Sequence, residues 1–317
     1  MKKRKIVLWI GVALLFLGAL IFTISFAVSG FTFEFLSDVQ IEYKTFEERA
    51  DNEITSLSIE YDTADVVVYV SADSDTLSVQ YPQKHNKKGK NITVITLEET
   101  QNSLSIKQTK ELSFVPFDFS NPTVSIYLPQ ERVYALDLYT STGTIRLTSG
   151  NLNVSKITLK ATTGDIFTKD CAISSIGEAR FETTTGDVNV GELSAQTVDL
   201  KTNTGFLTAH KAIKAETSLS LNAATGSIKT LGTITANTVT AQASTGDLNI
   251  TADICANTIT LKTSTGDLNA QIAGKKTDYS ILVSHSTGNS NLFSQTGGTK
   301  TLNVSCSTGD IYVVFGE

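Results

Sequence analysis

The chain has 317 residues, 40% of them hydrophobic and only four of them proline, so it can fill a core and is not a proline-rich stalk. Its formal charge of −6 hides an asymmetry, because Lys2, Lys3, Arg4 and Lys5 contribute +4 and leave −10 for everything after them. An acidic body excludes nucleic acid as a partner, since that requires a basic footprint.

Residues 1–5 read as a basic cytoplasmic tail and residues 6–28 as a single transmembrane helix. The 6–28 run holds 23 residues without a charge. At 1.5 Å per residue it spans about 34 Å, enough to cross the ~30 Å hydrocarbon layer. The positive cluster keeps the tail inside and sends the remaining chain out of the cytoplasm. A cleaved signal peptide is the alternative, with Ala27-Val28-Ser29 as a passable cleavage site, although such apolar cores usually run about 7–15 residues. The absence of cysteine just after the apolar run excludes a lipoprotein anchor.

Residues 29–53 read as a linker, with Phe31, Phe33 and Phe35 near headgroup level. Residues 54–135 form an N-terminal β region: Leu57-Ser58-Ile59, Leu77-Ser78-Val79 and Leu104-Ser105-Ile106 alternate at period two. The basic stretch from Lys84 to Lys90 reads as a solvated hairpin tip, with contact to anionic lipid or wall polymer as its alternative.

Residues 136–317 repeat. Thr-Gly recurs with glycines at 143, 164, 186, 205, 226, 246, 266, 288 and 309, at spacings of 19–22 residues. Apolar residues keep phase with it. Seven before the glycine come Leu136, Ile157, Ala179 and their equivalents; five before come Leu138, Leu159 and Phe181. Two after come Ile145, Ile166 and Val188, and only Ser290 breaks that set. Leu152, Ile173, Leu193, Ile213, Ile234, Ile254 and Ile272 suggest a third, shorter strand per repeat.

Residues alternating at period two share one face of a strand, so each repeat offers half-buried strands flanking a Thr-Gly turn. No repeat can bury that face alone. Stacking closes it, with rungs about 4.8 Å apart, and the glycine supplies a turn with positive φ at no steric cost. The expected fold is therefore all-β, a parallel β-helix or β-solenoid of about nine repeats behind the transmembrane helix. Nine consecutive antiparallel hairpins are the rival geometry. In the solenoid the last rung, through Ile311 to Phe315, is expected to present an uncapped edge for pairing with another chain.

Little in the chain suggests reaction chemistry. Asp165, Asp187, Asp247, Asp267 and Asp310 follow the glycine, and a column of such carboxylates is a weak candidate for holding Ca²⁺. Thr144, Phe206, Ser227 and Asn289 interrupt it, and aspartate is a common turn residue that bonds its own backbone, so turn chemistry is the reading adopted. His85, His210 and His285 share no repeat phase. His285 occupies a turn-flanking packing slot that elsewhere holds Thr, Ala or Cys306. Cys171, Cys255 and Cys306 lack metal-ligand spacing and read as buried free thiols. No catalytic, cofactor or firm metal site is assigned, and a carbohydrate-active enzyme on a β-helix platform is the alternative function.

One junction is informative beyond its composition. Val124-Ser125-Ile126-Tyr127-Leu128-Pro129 leads into Leu136-Asp137-Leu138-Tyr139-Thr140-Ser141-Thr142-Gly143, followed by repeats such as Ser244-Thr245-Gly246-Asp247-Leu248-Asn249-Ile250. Over residues 54–317 this resembles the bacterial putative-adhesin β-solenoid family, which includes LiaG-like and YvlB-like envelope proteins. The resemblance implies a single-pass envelope protein of a Gram-positive bacterium with a tie to envelope stress, and carries over no catalytic residue. The expectation is a non-catalytic surface scaffold held to the membrane by residues 6–28, its partner an envelope polymer or protein. A regulator of a membrane stress sensor is the further alternative.

Overall fold

The computed structural model describes residues 39–72, 75–110, 120–148 and 150–316, together with Gly18, Ile21, Thr23, Ile24 and Ala27. Those five are helical, but most of the expected transmembrane helix lies outside the described residues, as do the tail and the ring cluster at 31, 33 and 35. Among the described residues no helix is long and apolar enough to cross a membrane.

The Thr-Gly phase builds a solenoid whose coils pair in parallel. The strand before each turn stacks on its equivalent in the next coil: Val133–Thr142 on 157–163, then Glu178–Thr185, 197–204, 218–225, Thr238–Thr245 and Thr258–Thr265. The register places like phase on like phase, Leu136 on Ile157 on Ala179 and Leu138 on Leu159 on Phe181. A second column follows the turn, with Ile145 on Ile166 on Val188 on Leu207 on Ile228 on Leu248 on Leu268. The third column carries Leu152 on Ile173 on Leu193 on Ile213 on Ile234 on Ile254 on Ile272. All these inward side chains are buried in one continuous core. Each fully buried Leu or Ile contributes about 1.5–3 kcal/mol, which no single coil could collect. The parallel register rules out the antiparallel-hairpin geometry.

The N-terminal β region is not a separate unit. Ser56–Thr63 pairs in parallel with Val133–Thr142 on one side and with Ser103–Lys110 on the other. Asp65–Ser71 likewise lies between Ile145–Leu147 and Thr123–Pro129. Thr63-Ala64-Asp65-Val66 is thus one more turn of the repeat, with alanine at the glycine position, and the sheet continues through the 135/136 boundary. The segment expected to be a linker contains the strand Val39–Glu47, which pairs antiparallel with Ser78–Asn86. Only Phe46 of that strand is buried, so Glu42, Lys44 and Glu47 hide its alternation. The basic stretch closes a turn after this strand: Asn86 Oδ1 accepts from the N–H groups of Lys88 and Lys90, each at 2.9 Å. Lys84 itself is buried and His85 meets Glu42 at 3.0 Å, so the tip comprises only Lys87 to Lys90.

The coils are not stacked in chain order at the far end. Lys300–Thr308 inserts between Thr258–Thr265 and Tyr279–Thr287, and Ile311–Phe315 lies on Leu268–Ile272. The last coil in space is therefore the penultimate one in sequence. This overturns the expectation that residues 311–315 form the open terminal rung. Asn291 seals their outer edge, its Nδ2 donating to Val313 O and its Oδ1 accepting from Val313 N–H, both at 2.9 Å. The position explains Ser290: it lies on Ile311 at the end of the stack, where no further coil needs an apolar contact.

Candidate functional site

The turn column holds the aspartates that are the weak Ca²⁺ candidates. The nine repeat glycines hold φ between +125° and +151°, and those of the stacked coils (Gly143, Gly164, Gly186, Gly205, Gly226, Gly246, Gly266 and Gly309) donate their N–H to the threonine carbonyl of the neighbouring coil, as from Gly164 to Thr185 at 2.8 Å and from Gly186 to Thr204 at 2.9 Å. The aspartates extend that bonding sideways. Asp65 Oδ1 accepts from Thr144 N–H, Asp165 Oδ1 from Asp187 N–H and Asp187 Oδ1 from Phe206 N–H, each at 2.7 Å. Asp247 Oδ1 accepts from Asp267 N–H and Asp267 Oδ1 from Asp310 N–H, both at 2.9 Å. Ser227 Oγ replaces the carboxylate toward Asp247 N–H at 3.0 Å, and Asp310 Oδ1 accepts from Asn289 N–H at 2.7 Å.

Asp165, Asp187, Asp247 and Asp267 are thus turn residues, but the partner differs from the expected one. A side chain leaving the sheet beside a tight turn reaches the N–H one rung away instead of its own backbone. Each binds the next coil through one carboxylate oxygen, and among the described residues no group of three His, Cys, Asp or Glu is placed to hold a metal ion. Asp187→Ala is expected to lower unfolding free energy by about 1 kcal/mol, the net value of one charge-assisted bond to a partly exposed N–H. Calcium should leave the melting midpoint of the unmodified chain unchanged in the same calorimetric series; a calcium-dependent rise would restore the metal reading.

The packing slot three residues before the glycine holds a second ladder that sequence reasoning missed. Thr140, Thr183, Thr202 and Thr263 are buried there. Their hydroxyls donate to the turn carbonyls of Ala64, Gly164, Gly186 and Gly246 at 2.8–3.1 Å. Alternation of Thr with Ala161, Ala223 and Ala243 was the available signal: a slot that takes either is small, dry and close to a carbonyl. Cys306 takes it too, its Sγ 3.4 Å from Gly266 O. His285 takes it on the end coil, where it is exposed.

Outward positions carry ion pairs and amide ladders. Glu182 meets Arg180 at 3.1 Å and Lys201 at 3.2 Å. Burial raises its pKa, but the hydrogen bonds from Lys201 and Arg180 outweigh that and hold it below the usual carboxylate range. Its stabilising contribution is therefore full above the unfolded-state carboxylate value and disappears as pH falls through the lower folded value. Asn269 Nδ2 donates to Asn249 Oδ1 at 3.2 Å, and Asn257 Nδ2 to Asn237 Oδ1 at 2.9 Å. Tyr69 and Tyr127 stack at 4.9 Å, and Arg146 lies 4.6 Å over the Phe167 ring. The histidines stay apart: His85 at the hairpin, His210 beside Asn189 at 3.1 Å, and His285 on the end coil.

Cys171 and Cys306 are buried free thiols, as expected, whereas Cys255 is half-buried. Burial pushes the Cys171 thiol up to about 11, against a weak lowering hydrogen bond at Leu152. At pH 8 a maleimide should therefore label Cys255 far faster than Cys171 in the folded chain, with equal rates only in denaturant; mass spectrometry of labelled peptides reads this directly.

Comparison with known proteins gives one family match. The model of the Toastrack DUF4097 family matches residues 54–311. No curated protein matches the chain. Among solved structures, a "putative adhesin" from Bacteroides fragilis is similar at 12% identity and a TM-score of 0.38, over 87% of this chain and 97% of that one. A second "putative adhesin", from Parabacteroides distasonis, has 14% identity and a TM-score of 0.42, over 88% and 98%. A "putative lipid binding protein" from the same species has 12% identity and a TM-score of 0.37, over 85% and 96%.

Proposed function

This chain belongs to the Toastrack DUF4097 family, and from that premise we propose that it is a non-catalytic binding rod of the bacterial cell envelope, held to the membrane by residues 6–28 and exposing its solenoid outside the cytoplasm. One observation carries the reading. The acids and hydroxyls that repeat at the turns are committed to coil-to-coil hydrogen bonds, so what recurs most in the sequence builds the rod instead of a reaction centre. The long faces left over carry hydroxyls, amides and ion pairs, and extended repeat surfaces of that kind suit a partner that is itself a polymer or a large protein. The charge-free run behind a basic tetrad supports the anchoring and its direction. Family resemblance supports the adhesin-like role and the connection to envelope stress.

The test uses the full chain expressed in a Gram-positive host. Asn203, exposed in mid-rod, is replaced by cysteine in a Cys255→Ser background. The expected result is a carbonate-resistant membrane protein that a membrane-impermeant maleimide labels on intact cells. It should also co-sediment with isolated envelope material without altering that material's mass or reducing-end content. Labelling only after lysis would overturn the topology, and product release from the envelope polymer would overturn the non-catalytic role.

A further inference from the structure

The two ends of the rod are finished differently. At the N-terminal end, antiparallel strands cover the stack: Thr93–Glu99 lies on Ser103–Lys110, and Ser78–Asn86 lies on Thr123–Pro129 with Val39–Glu47 beyond it. At the distal end, Tyr279–Thr287 pairs with Lys300–Thr308 on its inner side. On its outer side, among the described residues, it has the bridge between Ile281 and Gln295, the bond from Gln295 Nε2 to Tyr279 O at 3.0 Å and the bond from Val283 N–H to Ser294 Oγ at 3.0 Å. Among the described residues nothing pairs with the outer edge at 284–287. Beside that edge Leu282 is 63% and Phe293 73% exposed.

An open strand edge is a row of donors and acceptors that fits another strand, and proteins blunt such edges with charge. The outer strands of the N-terminal end are blunted in this way, by Glu42, Lys44 and Glu47 on one and by Glu98 and Glu99 on the other. Residues 279–298 contain no Asp, Glu, Lys or Arg. In a body carrying −10 this end is where two copies can meet without like-charge repulsion.

We propose that the distal coil is a self-association surface, on which two copies pair head to head through the edge at 284–287, antiparallel about a two-fold axis, covering Leu282 and Phe293. Head-to-tail stacking is disfavoured because the outermost strands of the opposite end carry Glu42, Lys44, Glu47, Glu98 and Glu99, whereas a two-fold contact needs only this one self-complementary patch. The strand Val39–Glu47 lies at the far end of each rod, so the two N-termini of such a pair point in opposite directions. Resting on the anchored reading above, the pair joins two facing membranes. Four edge residues give a weak contact, which many copies on one surface strengthen.

The experiment has two arms. In detergent, the full chain is sedimented at concentrations up to about 100 μM, and a Ser286→Cys variant in the Cys255→Ser background is treated with a short bis-maleimide, with Asn203→Cys as the mid-rod control. Expected are a reversible dimer and cross-linking at 286 but not at 203. The Leu282→Asp/Phe293→Asp double variant should sediment as a monomer with an unchanged melting midpoint. A monomer throughout, or a dimer that the double variant leaves intact, overturns the proposal. In the second arm, vesicles carrying the full chain are followed by light scattering, and clustering that the double variant abolishes is expected. A detergent dimer whose chain fails to incorporate into vesicles supports the pairing and counts against the membrane-anchored reading. Incorporation without clustering or dimer overturns the pairing alone.

Discussion

Gly186→Ala is expected to break the rod at one coil junction and to lower stability by about 4 kcal/mol, more than any surface substitution in this chain. Two effects combine. Gly186 has φ of +145°, where an L side chain is strained by about 1–3 kcal/mol. A Cβ there would also overlap the carbonyl oxygen of Gly164 in the coil beneath and come within 2.9 Å of Asp165 Oδ1. That carboxylate oxygen is the acceptor for Asp187 N–H, so the junction would have to open and lose the ladder bond as well. Gly205 and Gly266 meet the equivalent carbonyl and aspartate, and Gly246 meets the Gly226 carbonyl, which makes the glycine column a stacking requirement as much as a turn requirement.

Two controls separate those effects. Gly89 has φ of +76° with nothing within 4 Å of an added Cβ, so Gly89→Ala should cost only about 1 kcal/mol, the backbone share. Ala64 already fills the glycine position in the first Thr-x-Asp turn, and the strands beyond it, Ser103–Lys110 and Thr123–Pro129, contain no glycine. Ala64→Gly should therefore leave the melting midpoint nearly unmoved. Because a coil contacts only its neighbours, damage at Gly186 should remain local. Hydrogen exchange should accelerate across 157–204 while 238–265 stays protected. A midpoint for Gly186→Ala no lower than that for Gly89→Ala would remove stacking contact as the reason for the column.

The repeat was legible because parallel stacking keeps every coil in the same phase, so apolar positions such as Leu138, Leu159 and Phe181 recur at fixed distance from the glycine. That same sameness hid the order. Coils whose inward residues are interchangeable can stack in more than one sequence, and spacings around Gly288 and Gly309 match those elsewhere. Ser290 was the available clue, since a polar residue in the apolar slot is affordable only on the outermost coil. Alanine at position 64 concealed one repeat, although Thr63, Asp65 and Val66 keep its pattern. The turn aspartates were recognised as local structure, but the reach to the next rung depends on a spacing between coils that no single repeat contains. His285 occupies a packing slot that elsewhere holds only Thr, Ala or Cys. It is tolerated because that slot opens to solvent at the end of the rod.

The N-terminal strand was missed for a different reason, and the clamp that holds it gives the second large expected effect. Glu48, whose side chain is 1% exposed, follows directly on Val39–Glu47 and accepts four hydrogen bonds. Two come from Arg132 Nη1, at 2.8 and 2.7 Å; Ile54 N–H gives one at 2.6 Å and Leu77 N–H one at 3.2 Å. Arg132 also donates to Asp75 O. The carboxylate thus joins the end of the edge strand, the entry to Ser56–Thr63, the start of Ser78–Asn86 and the connection before Val133–Thr142. Removing one member of a buried pair strands the other, so Glu48→Ala should cost about 3–5 kcal/mol. Arg132→Met should cost less, because Glu48 keeps its two backbone donors. A double-mutant cycle on denaturant unfolding should give a coupling energy of about 1.5–3 kcal/mol. The location of the damage is the sharper readout. Exchange should rise over 39–47 and 78–86 and not over 218–265, because the clamp fastens the N-terminal end alone. Loosening that end should leave the proposed distal contact intact. Uniform loss of protection along the whole solenoid would show that Glu48 supports the stack as a unit and is not a clamp.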